Sequence, residues 1–350
     1  MDTITGILSD SLHQAFGPIM LAYALAAIGI NIHFGYSGLL NFGQAGFAAV
    51  GAYGLAVTVA AFGGSFWLGI GVGLLGSVVL SILLGIPTLR LRADYLAIVT
   101  IAAAEIIRRV ARSVTFTEYT GGSDGIRPVG DFSATFADLN PYSGSEASFN
   151  AGIVGFHRGT LDLFWGLLSF RPHSLWVMTV GWSLVVLCLL VVWLAMRSPW
   201  GRVLKGIRED EDAVRSLGKN VYSYKMQALV IGGLCGSLGG FIFSVGSGNV
   251  QPDTYSTDFT FYLWVMVILG GAARVFGPVL GAMLFWFLFN LLKGVLDAIA
   301  ATGALPTWLL TTNKSGPLVF VVLGIGMVLL LVYRPQGILG DKREVSLNVR

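Results

Sequence analysis

From Ser11 to Leu89 the chain contains no Asp, Glu, Lys or Arg. A soluble domain carries about a quarter of its residues charged, so a run of this length and polarity has no means of covering itself with a hydrated surface. It requires a bilayer, where a spanning helix needs roughly 20 apolar residues and satisfies its own backbone hydrogen bonds. The rest of the 350-residue chain agrees, with 12% charged residues and a mean hydropathy of +0.75. The fold class expected is all-α, a polytopic transmembrane helical bundle of about eight to ten spans, forming one domain over 1–350. Forty-seven glycines suit such a bundle, because small residues let membrane helices approach closely.

Hydropathy places spans near 12–33, 40–61, 65–88, 94–111, 174–196, 223–246, 260–273, 276–297 and 316–333. The N-terminus has no basic stretch ahead of a cleavable apolar segment, so the first span is expected to be retained. Lys and Arg are asymmetric between the loops. Arg90 and Arg92, the basic residues of 197–225, Arg274, and Arg334, Lys342, Arg343 and Arg350 fall on one side, 14 of the 22 basic residues. That side reads as cytoplasmic. Arg108, Arg109 and Arg112 oppose the rule at the outer end of the fourth span, where they adjoin a long loop of the kind that translocates regardless of charge.

That loop, 112–172, is the extracytoplasmic segment. Its first half is rich in turn formers, and the apolar LDLFWGLLSF (161–170) is too short to span, so it is expected to form a short interfacial helix with Trp165 at headgroup depth. Two Gly-rich interrupted stretches, 35–53 and 270–286, fall one in each half of the chain. They read equally as an internal repeat bordering a substrate pathway or as two ordinary packing helices. Gly232, Gly236 and Gly240 form a small-residue stripe for close helix contact, within the chain or across a dimer.

Charge is concentrated in Arg197–Lys219, which holds ten of the 41 charged residues. Within this cytoplasmic loop (197–222), Glu209 to Asp212 suit a helix N-terminus, Arg215 and Lys219 its end, and Gly218 the C′ position. Val203, Leu204, Ile207, Val214 and Leu217 supply an apolar edge at helical spacing. The segment is either a docking helix for a partner's groove or a solvated loop that enforces topology.

Several function classes are excluded. No phosphate-binding loop occurs, since TGGSDGIRPVG lacks a terminal Gly-Lys-Ser/Thr. Any ATP used is hydrolysed by another chain, and no bound cofactor is expected. Cys188 and Cys235 lie in apolar segments and imply neither a disulfide framework nor a metal site. His13 and His33 lack partners at metal spacing and are expected at the interface. The motifs of intramembrane proteolysis are missing, which argues against an enzyme. Of the intramembrane polar groups, Glu105 is in helical register with Arg108 and Arg109, either as a structural pair or as a contact for a zwitterion's ammonium group. Asn41 and Gln44 lie in a Gly-flanked run where freed backbone and amides line a cavity or glue helices together.

GYSGLLNFGQAGFAAVGAY (35–53), TLRLRADYLAIVTIAAAEIIR (88–108), TGGSDGI (120–126), GRVLKGIREDEDAVRSLG (201–218), MVILGGAARVFGPVLGA (266–282) and YRPQGILG (333–340) together resemble the LivM-type permease subunits of bacterial branched-chain amino acid ABC importers. The resemblance implies a multi-pass protein of the inner (plasma) membrane. Its partners would be two ABC ATPase subunits, a homologous second permease subunit and an extracytoplasmic solute-binding protein, with no nucleic acid. It implies an ATPase-coupling loop containing Gly201, Arg202, Lys205, Ile207, Arg208, Glu209, Asp210, Glu211, Asp212, Ala213 and Gly218, in which Asp212-Ala213-Val214-x3-Gly218 is similar to the EAA-type signature of ABC permeases. The chain departs from the family pattern at Arg92-Ala93-Asp94-Tyr95 and Ala102-Ala103-Ala104. These positions flank the implied pathway, whose candidate residues are Asn41, Gln44, Tyr95 and Glu105. The resemblance also extends to importers of other small polar solutes, such as urea or short amides. A channel or secondary carrier working without ATP is the alternative outside the family.

Overall fold

The computed structural model describes residues 2–89, 93–127, 132–143, 148–150, 154–157, 160–163, 168–302, 312–334 and 336–340. The helices are α1 (Asp2–Phe16), α2 (Pro18–Ile30), α3 (Gln44–Ala60), α4 (Phe66–Thr88), α5 (Ala93–Arg112), α6 (Thr117–Thr120), α7 (Ala134–Asp138), α8 (Pro172–Arg197), α9 (Pro199–Glu209), α10 (Glu211–Ser216), α11 (Val221–Ser247), α12 (Thr257–Gly270), α13 (Gly277–Thr302) and α14 (Thr312–Tyr333). Among the described residues six stretches are long and apolar enough to cross a membrane: Pro18–Tyr36, α4, α8, α11, α13 and Ser315–Tyr333. The shorter apolar helices α3 and α12 and the amphipathic α5 pack among them, α3 on α4, α5 and α11 and α12 on α13 and α2, making the polytopic bundle that the hydropathy requires.

α2 and α11 form the axis. α2 is apolar on all sides and almost wholly enclosed. α11 packs against α2, α3, α4 and α8, while α4, α8 and α14 turn apolar faces outward, as helices bordering lipid do. The glycine stripe of α11 is used within the chain. A Cβ on Gly232 would lie 2.7 Å from the Gly29 carbonyl oxygen, and one on Gly240 would lie 2.0 Å from that of Ala48, so α2 and α3 approach α11 backbone to backbone.

Three of the expected spans change. The first, 12–33, is divided, because Pro18 at the start of α2 cannot continue α1, and α2 extends through a π-helical turn, Asn31–Tyr36. The second begins in an unwound segment, 38–43, that re-enters the protein interior before α3 starts. Its backbone stays at membrane depth by being buried in protein. The seventh, 260–273, begins at Thr257 and ends at Gly270, because Gly271 adopts a positive φ.

The expected interfacial helix at 161–170 is overturned. The segment contributes to a four-stranded antiparallel meander of β1 (Ser148–Asn150), β2 (Val154–His157), β3 (Thr160–Leu163) and β4 (Leu168–Phe170). Leu168 and Phe170 are buried and Ser169 is exposed, the alternation of a half-covered strand. Phe170 stacks on His13 of α1 with ring centroids 4.5 Å apart. Trp165 lies outside the described residues. Nearer α5, an antiparallel bridge joins Ile126 to Val250. Gly125 beside it has φ +72°, and a Cβ there would meet the Val250 carbonyl oxygen at 2.2 Å, which accounts for glycine in TGGSDGI.

Candidate functional site

The charged loop folds at one end of the bundle as two helices rather than one. Pro199 starts α9. Asp210 leaves the helical region and caps α10, its Oδ1 accepting from the Ala213 N–H at 2.9 Å, a local competition that stops α9. Gly201, Leu204, Ile207 and Val214 are buried and Val203 is half-buried, so most of the expected apolar edge faces the bundle. Leu217 is the exception, pointing to solvent. Gly218 takes the left-handed conformation expected of it.

The polar residues of this loop divide by direction. Arg208 Nη1 donates to the Gly35 carbonyl at 2.6 Å, which props α9 against the π-helical turn itself. Glu211 accepts from Arg215 at 2.9 Å and from Lys225 on α11. Arg202, Glu209 and Asp212 face outward, Asp212 with its side chain 88% exposed. Arg215 spans Glu211 and Asp212.

Below this end lies a buried polar junction. His33, expected at the interface, has no exposed surface: the π-turn carries it inward, where its Nε2 lies 3.1 Å from the Leu229 carbonyl and its Nδ1 3.0 Å from Asn41 Nδ2. Those partners select the neutral tautomer with the proton on Nε2. Asn41 Nδ2 also donates to Gln44 Oε1 at 3.2 Å, and Gln44 Nε2 donates to the carbonyls of Gly232 at 2.9 Å and Ala26 at 3.3 Å. Asn41 Oδ1 accepts from Gly43, and its carbonyl from Trp264. Asn41 and Gln44 therefore spend their amides on α2, α11 and the unwound segment. Asn31 makes a second clasp, accepting from the Ala273 N–H and donating to the Arg274 carbonyl, each at 2.8 Å. Beside it a Cβ on Gly35 would lie 2.6 Å from the Ala273 backbone nitrogen, so the two Gly-rich stretches touch, a long-range contact that no local pattern announces.

The four pathway candidates do not converge. Asn41 and Gln44 are enclosed, on the side of α5 where Thr100 accepts from the Phe42 N–H at 3.1 Å. Tyr95 is on the outward face of α5, in a stripe with Ile98, Ala102, Ile106 and Arg109. Glu105 is held at the opposite end of the same helix. Its carboxylate accepts from Arg108 Nε at 2.8 Å and Nη2 at 2.7 Å, and from Arg109 Nε at 2.8 Å. Arg108 and Arg112 also pair with Asp253, in the turn between α11 and α12. The Glu105 pairing with Arg108 and Arg109 follows the helical register, whereas Asp253, 145 residues from Arg108, joins the clasp with no local signal.

The clasp is graded by exposure, 16% for the Arg108 side chain and 74% for that of Arg109. Arg108→Ala is expected to lower stability by about 2 kcal/mol, since charged hydrogen bonds lose a partner in a half-buried setting. Arg109→Ala should stay within about 0.5 kcal/mol. Thermal unfolding of the two variants in detergent checks the order.

Of the basic residues used to orient the chain, Arg90, Arg92, Lys342, Arg343 and Arg350 lie outside the described residues. Those of 197–225, Arg274 and Arg334 lie at the charged end, where 338–339 pair with the carbonyls of Leu269 and Gly270. Among the described residues no cluster of His, Cys, Asp or Glu could hold a metal ion.

Comparison with known proteins adds the family. Residues 19–333 match the family described as branched-chain amino acid transport system / permease component. The chain is similar to the high-affinity branched-chain amino acid transport system permease protein LivM of Escherichia coli, with 32% identity covering 92% of this chain and 68% of that protein. It is 24% identical to a probable branched-chain amino acid transport permease protein LivM of Methanocaldococcus jannaschii, covering 93% and 92%. A nucleoside ABC transporter permease protein, NupC of Lactococcus lactis, is 25% identical over 83% of this chain and 84% of its own. With the match spanning nearly all of the described bundle, the chain belongs to the family of branched-chain amino acid transport system permease components.

Proposed function

We propose that this chain is the membrane-spanning subunit of an ATP-binding cassette importer for branched-chain amino acids in a bacterial inner membrane. Two ATPase subunits at the charged end drive it, a homologous permease chain stands beside it, and an extracytoplasmic binding protein delivers substrate at the opposite end. Family membership supports the class. The observation that carries the mechanism is the helix pair α9–α10, which is anchored by its apolar side and presents Arg202, Glu209 and Asp212 to the aqueous phase. A two-helix element braced on the bundle rather than trailing from it can transmit a push, and the chain has no nucleotide motif of its own. The coupling residues Gly201, Arg202, Lys205, Ile207, Arg208, Glu209, Asp210, Glu211, Asp212, Ala213 and Gly218 then fall into groups. Arg202, Glu209 and Asp212 contact the ATPase, Arg208 transmits, and Asp210, Glu211 and Gly218 shape the element.

The pathway runs along the outward face of α5, where Tyr95 and the apolar residues below it meet the second permease chain and Glu105 lies toward the entrance. Asn41 and Gln44 serve this wall from behind by holding the unwound segment against α11. Reconstitution of the chain with its ATPase, permease and binding-protein partners should give ATP-dependent accumulation of leucine, isoleucine or valine. Uptake by this chain alone without ATP would overturn the class, and uptake of nucleosides or urea in place of these amino acids would overturn the substrate.

A further inference from the structure

At the charged end, the last turn of α8, α9 and the turn between α12 and α13 enclose a cavity of about 440 Å³. Arg197, Lys205 and Arg274 line it with Trp193, Tyr36 and Leu339, and no Asp or Glu does. The Arg197 guanidinium rests over the Trp193 ring, 3.9 Å from its centroid, a cation–π contact that fixes the charge at the depth where tryptophan favours the membrane surface. Among the described residues neither Arg197 nor Lys205 has a carboxylate partner.

A second hollow of about 280 Å³ continues from it and shares Trp193, Val275 and Phe276 as walls. Its remaining lining, Val186, Leu189 and Leu190, is apolar and climbs α8 away from the charged end. From Arg197 to Val186 a helix rises by roughly 16 Å. The pair of hollows is therefore cationic at the membrane surface and hydrocarbon-like below it. A free anion uses only the first half of such a site, whereas a lipid uses both.

We propose that the two hollows bind one anionic phospholipid of the leaflet at the charged end, with its phosphate among Arg197, Lys205 and Arg274 and one acyl chain in the α8 groove. The inference needs only the membrane-spanning fold and stands whether or not the importer reading does. Arg197 and Lys205 bring two cations with no carboxylate partner among the described residues to one cavity, and basic residues at a membrane surface draw acidic lipids. The bound lipid would tie α9 to the α12–α13 turn.

Native mass spectrometry of the delipidated full-length chain tests this with dioleoyl phosphatidylglycerol, dioleoyl phosphatidylcholine and inorganic phosphate as probes. The chain should retain one phosphatidylglycerol in preference to phosphatidylcholine. Arg197→Gln with Lys205→Gln should weaken that binding roughly thirtyfold. Leu190→Trp, at an exposed apolar position, fills the groove, leaves all three cations and should weaken it too. Equal retention of the two lipids, or a double variant that binds like the parent, overturns the proposal. So does phosphate competition combined with a silent Leu190→Trp, which would mark a small-anion site. Displacement of the lipid when an ATPase subunit assembles would show that the cations serve a protein surface instead.

Discussion

Gly240→Leu is expected to yield no folded protein. A Cβ at this position would sit 2.0 Å from the Ala48 carbonyl oxygen and 3.0 Å from the Ala48 Cα, both backbone atoms in the second turn of α3. No rotamer change relieves a backbone clash, so α3 and α11 must separate. Overpacking costs about 1–3 kcal/mol where neighbours can shift. Here the shift also pulls on Gln44 and Ser237, whose side chains bond across the same helix pair, to the carbonyls of Gly232 and Phe47 at 2.9 Å each. Leucine at Gly71 is the control, because nothing lies within 4 Å of a Cβ there. Cys188 and Cys235 are both free and buried, so a thiol-reactive fluorophore reads unfolding without added labels. Gly71→Leu should label at the parent's temperature, and Gly240→Leu should label before heating. A Gly240→Leu protein that is monodisperse and labels only on heating would show that α3 and α11 are held apart by something other than this contact.

The span pattern was legible because it rests on transfer free energy, which is additive along the chain. α4 and α8 lie within two residues of their expected ends, and charge asymmetry placed 197–225, Arg274 and Arg334 together. The coupling element was legible in part. Gly218 and the buried Leu204, Ile207 and Val214 follow from local spacing, as does the acidic helix start, where Asp210 caps α10 and Glu211 and Asp212 fill its first turn; Glu209 alone lies elsewhere, as the last residue of α9. The strands were missed for a physical reason. LDLFWGLLSF is apolar enough to resemble an amphipathic helix, and its period-two signal, Leu161–Asp162–Leu163 and Leu168–Ser169–Phe170, occupies two three-residue pieces. Sheet pairing is a non-local property, as is every contact of the polar junction. Nothing in the spacing of His33, Asn41 and Gln44 shows that the carbonyls of Ala26, Leu229 and Gly232 will lie within reach.

Arg208→Ala should uncouple ATP hydrolysis from uptake while leaving the assembled transporter intact. The Arg208 guanidinium reaches from α9 to the Gly35 carbonyl, and its stem lies 3.5 Å from where a Cβ on Gly38 would be. One residue pair therefore joins α9 to the π-helical turn ahead of the unwound segment. From that turn the chain leads directly to Asn41 and Gln44, and through Asn31 to Ala273 and Arg274. A hydrogen bond to a charged group contributes about 1.5–3 kcal/mol. If that energy couples the motion of α9 to the motion of the bundle, its loss lowers uptake per ATP roughly tenfold or more. Arg208→Lys keeps the charge without the planar reach and should recover only part. Asp212→Ala behaves differently, because that carboxylate faces solvent, where the proposed function puts the ATPase: it should weaken assembly and leave uptake per ATP unchanged in the complexes that form. Reconstituted vesicles report hydrolysis and uptake separately. Arg208→Ala vesicles that take up substrate in the parent's ratio to ATP would remove Arg208 from the coupling path and leave it a support for α9 alone.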